Sequence, residues 1–174
     1  MKNFTSKLAL VIGALTISGA VANAQLTSVA TVTVSASVTA SLAATNGGNL
    51  NFGAVVQGGS ATTILPSAAA AGKVNIVGAN NAGITITATT LPTTLAGPSS
   101  STLGIGTYQY CYSQNNSNSA CTPVAIADAA SILGQALSGT GNGYLWLGAT
   151  LAAAAPTQTV GAYSANMTIT VTAP

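Results

Sequence analysis

Apolar and hydroxyl positions alternate along residues 29–42, VATVTVSASVTASL. Every even position from Ala30 to Leu42 is apolar, and every odd position from Thr31 to Ser41 carries a hydroxyl. A period of two describes a β-strand with one buried face and one wet face. The period recurs downstream. In 49–56, NLNFGAVV, Leu50 and Phe52 alternate with Asn49 and Asn51. KVNIVG at 73–78 reads as a short strand, and in 82–90, AGITITATT, Ile84, Ile86 and Ala88 alternate with threonines. Tyr108, Tyr110 and Tyr112 share a face in TYQYCYS, and GYLWLGATL at 143–151 holds the single Trp. In 161–172, GAYSANMTITVT, Tyr163, Ala165, Met167, Ile169 and Val171 face one way. β-branched and aromatic residues dominate these windows, as strands prefer.

Clusters of Gly, Asn, Ser and Pro separate the windows at 45–49, 57–60, 79–83, 96–101, 114–119, 138–143 and 154–158. Strands punctuated in this way predict an all-β sandwich or barrel. The stretch 124–137, VAIADAASILGQAL, fits either a short helix or an irregular strand. No internal repeat of fixed period is present.

The first 24 residues read as a signal peptide. Lys2 and Lys7 precede the apolar run LALVIGALTISGAVA, and Ala22-Asn23-Ala24 forms a small-x-small cleavage site before Gln25. The run is too short and too interrupted for a membrane anchor, which needs roughly 20 apolar residues. The expected organisation is therefore a signal peptide, 1–24, and one β-sandwich domain, 25–174, with residues 25–42 as its N-terminal strand. No later segment is long and apolar enough to make a transmembrane helix.

Charge narrows the functional classes. The chain holds three basic residues, one acidic residue and no His. After cleavage only Lys73 and Asp128 remain. Nucleic-acid affinity rests on many Lys/Arg contacts, so nucleic acid is not an expected partner. Few charges also give little colloidal repulsion, which suits an assembly whose surface is mostly covered. Disorder does not fit a chain that is 48% hydrophobic and regularly patterned.

Catalytic chemistry has little to work with. General acid–base catalysis needs a group titrating near working pH, and no G-x-S-x-G elbow is present. The reading is therefore no enzyme, no cofactor and no metal. Lys73 reads as a solvated edge charge and Asp128 as a surface or capping residue. Cys111 and Cys121 bracket YSQNNSNSA. A redox pair usually has C-x-x-C spacing and a metal site needs more ligands, so an exported chain is expected to join these two in a disulfide. Closing a loop of about 11 residues contributes roughly 2.8 kcal/mol on the chain-entropy model. The strand tyrosines and Trp146 suit core packing better than a sugar-binding platform.

The order of motifs resembles the spore coat U family and the related archaic chaperone–usher pilins, together with fimbria-like secreted domains of unknown function. An alternating N-terminal strand (29–42) is followed by LNFG (50–53) and then by a short strand with I-T-I-T (73–90). The aromatic strand (107–112), LWLGATL (145–151) and the closing Gly-x-Tyr strand (161–172) complete the series. Gly161 is the fourteenth residue from the end, where this family often has a Gly. The penultimate residue is Ala173 where the family places an aromatic, and the cysteine pair lies mid-chain rather than at the first strands.

The resemblance implies an immunoglobulin-like, pilin-type antiparallel sandwich of about seven to nine strands. It implies a missing last strand, filled first by a chaperone and then by the next subunit. The expected function is a non-enzymatic structural subunit of a bacterial fimbria or surface filament. Its partners would be like subunits, with a periplasmic chaperone and an outer-membrane usher, and it would reach the cell surface through the periplasm. The candidate donor residues are Ala30, Val32, Val34, Ala36 and Val38, and the assembly strand is Gly161, Tyr163, Ala165, Met167, Ile169 and Val171. Two other readings are a secreted carbohydrate-binding or adhesin module and a self-polymerising matrix protein.

Overall fold

The computed structural model describes residues 33, 35–36 and 41–174. Among them are ten strands, one 3₁₀ turn and no α-helix. The strands are β1 (Ala43–Gly48), β2 (Thr62–Ile64), β3 (Gly72–Val77), β4 (Gly83–Thr90), β5 (Thr94–Ala96), β6 (Thr102–Ser113), β7 (Val124–Ala125), β8 (Ser131–Ala136), β9 (Asn142–Leu151) and β10 (Thr168–Thr172). The count exceeds the expected seven to nine because β2, β5 and β7 are only two or three residues long.

Two antiparallel sheets face one core. The first runs β1-β3-β9-β6-β5, with β2 continuing along the β3 side of β9 and β7 along the outer side of β6. The second is β10-β4-β8. Between them lie Ile76, Leu103, Ile105, Tyr108, Leu145, Leu147, Ala149 and Leu151 from the first sheet, and Ile84, Ile86, Ala88 and Ile132 from the second. Burying each such Leu or Ile contributes about 1.5–3 kcal/mol. The alternation read from 82–90 and 143–151 is the alternation that supplies this core.

The long strand β6 changes phase. Leu103 and Ile105 point inward at odd positions, while Tyr108 points inward at an even one. A bulge between Gly106 and Gln109 absorbs the extra residue and puts Thr107 at φ 48. Two residues then oppose one on the partner strand, which bends β6 and re-aims its side chains. As a result all three tyrosines pack on the core side, Tyr108 buried and Tyr110 and Tyr112 partly so. The sequence expectation of core packing for them is met. Their hydroxyls reach backbone: Tyr108 donates to Pro92 O, and Tyr112 donates to Ala136 O at 2.9 Å.

Three expectations about local structure change, and one left open is settled. The 49–56 window is not a strand: Gly53 sits at φ 66, and Asn51 Oδ1 accepts from Gly53 N–H at 2.9 Å. That local turn competes with a ladder, although Leu50, Phe52 and Val55 still pack on the core. The 45–49 turn cluster lies mostly within β1, whose ladder with β3 is irregular between Asn46 and Gly48. The undecided 124–137 stretch contains β7 and β8. The closing strand is confined to 168–172, so Gly161, Tyr163, Ala165 and Met167 precede it. Ser164 instead bridges to Ala96, tying that part of the chain to the first sheet.

Candidate functional site

A groove of about 1020 Å³ with an apolar floor and a mixed polar and apolar rim opens between residues 44–57 and residues 158–169. Its floor is sheet 1 itself: Leu103, Ile105 and Tyr108 of β6 with Leu147 and Leu151 of β9. Leu50, Phe52 and Val55 form one wall, and Tyr163, Met167 and Ile169 form the other. Beside it, β10 pairs with β4 on one edge and carries no ladder on the other among the described residues. An edge of this kind, next to an apolar trough, is the geometry in which an added extended strand finds both backbone partners and side-chain pockets.

The C-terminal wall is held by Tyr163. Its ring lies against Gly97, where a Cβ would overlap it. Its hydroxyl donates to Thr159 O at 2.6 Å, accepts from Gln158 Nε2 at 2.7 Å and lies 2.7 Å from Ser101 Oγ. Gly161, at φ 150, packs its Cα against Pro98. Only glycine adopts such a φ without strain. The Gly-x-Tyr signature of the closing segment is therefore a docking device for the groove wall rather than part of a strand.

The expected assembly residues divide. Tyr163, Met167, Ile169 and Val171 are half-buried against the core, whereas Gly161 and Ala165 are exposed. Of the candidate donor residues, Ala30, Val32, Val34 and Val38 lie outside the described residues, and Ala36 is exposed and outside any strand. The groove floor and the Leu50–Val55 wall were not singled out from sequence as site residues. The only signal for them was the alternation that marks a core.

The outward face of sheet 1 carries the remaining polar chemistry. Cys111 and Cys121 form the expected disulfide, with Cα atoms 5.6 Å apart. It ties β6 to a loop in which Asn118 donates to Pro66 O at 2.9 Å and Ala68 O at 3.1 Å. Lys73 is not an edge charge. It lies on β3, between β1 and β9, with its ammonium 5.1 Å from the Trp146 ring centroid and 3.2 Å from Asn116 Oδ1. Trp146 Nε1 is enclosed, and Tyr108, Tyr110 and Tyr112 face the other way, so these three and Trp146 form no shared open platform. Asp128 is a cap: its Oδ1 accepts from Leu91 N–H at 2.8 Å. Among the described residues, no group of three His, Cys, Asp or Glu side chains comes together, and no helix is long and apolar enough to cross a membrane. No family model, curated protein or solved structure matches the chain.

Proposed function

We propose that this chain is a secreted structural subunit of a bacterial surface filament, built as an immunoglobulin-like sandwich short of one strand and joined to like subunits by strand complementation. The observation that carries this reading is the groove of about 1020 Å³ lying beside an edge of β10 that has no ladder partner among the described residues. The donated strand is the alternating N-terminal stretch of a neighbour. Backbone hydrogen bonds to β10 supply the pairing. Ala30, Val32, Val34, Ala36 and Val38 enter the groove, and the hydroxyl face stays wet. The strand is uncharged, and the groove lining contains no acidic residue and a single basic one, Lys73, whose ammonium lies over Trp146 on the outward face. A periplasmic chaperone would cover the groove before assembly, and an usher would deliver the subunit.

The test places a charge on each face of the donor. Val34→Asp puts a carboxylate against the apolar floor of the groove, Leu103, Ile105, Leu147 and Leu151, which costs several kcal/mol. It is expected to leave a folded monomer that forms no filaments, while Thr33→Asp assembles nearly normally. Circular dichroism and sedimentation read the monomer, and electron microscopy reads the filaments. Full-length filaments from Val34→Asp would defeat the proposal. Loss of the folded monomer would assign the stretch to the subunit's own core.

A further inference from the structure

The groove has two distinguishable ends. One lies at Ala44, and just beyond it Leu42 lies beside Gly78, close to Leu137, and leads into β1. Thr172, the last residue of β10, is paired to Thr85 near this end. At the other, Gln57 Nε2 donates to Gln158 O, and Gly58 N–H donates to Ala154 O beyond the end of β9. β1 therefore runs from the Leu42 end toward the Gln57 end, and β10 runs back.

This polarity separates the possible occupants. A segment of the same chain reaches the groove from the Leu42 end and must lie parallel to β10. A reciprocal exchange between two copies has the same direction and closes as a dimer. A strand antiparallel to β10 leaves the groove at the Gln57 end, so its parent subunit stands there with its own Leu42 end facing the groove. All eight ladders among the described residues are antiparallel, and parallel pairing is slightly weaker per residue.

The surface agrees with the antiparallel arrangement. Val56 and Val160, beside the Gln57–Gln158 bond, are 75% and 79% exposed. At the opposite end Val77, paired with Ala43, is 51% exposed. A head-to-tail contact brings the two apolar ends together and, being heterologous, propagates. A parallel, reciprocal exchange leaves Val56 and Val160 in water. Resting on the strand-complementation reading, we propose that the Val56/Val160 rim is a second subunit contact, which seats the Leu42 end of the next copy and fixes head-to-tail growth.

Two measurements test this. In the first, Val38→Cys is combined with Gln57→Cys or, separately, with Ala44→Cys, and both proteins are oxidised. The Gln57 pair is expected to give a ladder of covalent multimers and the Ala44 pair none. Ala44 cross-links, within a monomer or capped at a dimer, would overturn the proposal. In the second, Val56→Asp is compared with wild type for filament growth and for binding a synthetic peptide of residues 29–42. Growth is expected to slow about tenfold or more, because a charge is buried without a partner. Peptide binding should stay within about threefold, as for a substitution on an exposed surface. Normal growth of Val56→Asp would remove the rim contact. Failure of the wild-type protein to bind the peptide would instead remove strand complementation, and the rim contact with it.

Discussion

Replacing Gly97 by Ala tests how the groove wall is held. The added methyl cannot coexist with the Tyr163 ring in its present position, so the ring must move. Moving it breaks the bond from Gln158 Nε2 at 2.7 Å and the bond to Thr159 O at 2.6 Å. At about 1 kcal/mol net for each, that is about 2 kcal/mol. Overpacking adds about 1–3 kcal/mol, and the stiffer unfolded chain returns about 0.4–1 kcal/mol. The expected cost is about 3 kcal/mol. With a urea slope of about 2 kcal/mol/M, the unfolding midpoint should fall by about 1.5 M. A double-mutant cycle isolates the cause: in a Tyr163→Ala background, Gly97→Ala should cost almost nothing. A full-sized loss in that background, or a midpoint shift below about 0.2 M in the parent, would refute the docking of Tyr163 on Gly97.

Two further outcomes follow from other parts of the molecule. With no His and a single acidic residue in the chain, stability should be almost flat from about pH 5 to 8. It should then fall in alkali: burial pushes Tyr108 up from 10.0 to about 12 and raises Tyr112 as well. The native state keeps a proton that the unfolded chain loses above about pH 10, so stability declines as pH rises through that window, and thermal melts between pH 8 and 12 read it. The second outcome concerns the disulfide. Unreduced mass spectrometry should show the folded protein two hydrogens lighter than its thiol form, and Cys121→Ser should lower stability by about 2–3 kcal/mol. Free-thiol labelling of both cysteines in folded protein would contradict the bond.

The all-β class, the strands that supply the core and the Cys111–Cys121 bond were legible in the sequence. These properties are local. Period-two burial is written residue by residue in GITITATT and LWLGATL, and two cysteines ten residues apart in sequence are easily brought together. Tertiary structure alone decided the rest. Whether an alternating window becomes a ladder depends on a partner edge: 49–56 keeps its apolar face toward the core but forms no strand, while the turn-like Asn46-Gly47-Gly48 joins β1 because β3 lies alongside. The phase change in β6 depends on a bulge whose register is set by β9, so Tyr108 and Ile105 share a face despite opposite parity. The groove was least legible of all. It is made from residues more than 100 positions apart, Leu50 and Phe52 against Tyr163 and Met167, and from an edge of β10 that carries no ladder among the described residues. In the sequence its lining reads as ordinary core, because an apolar side chain carries the same pattern whether its neighbour is already present or has still to arrive.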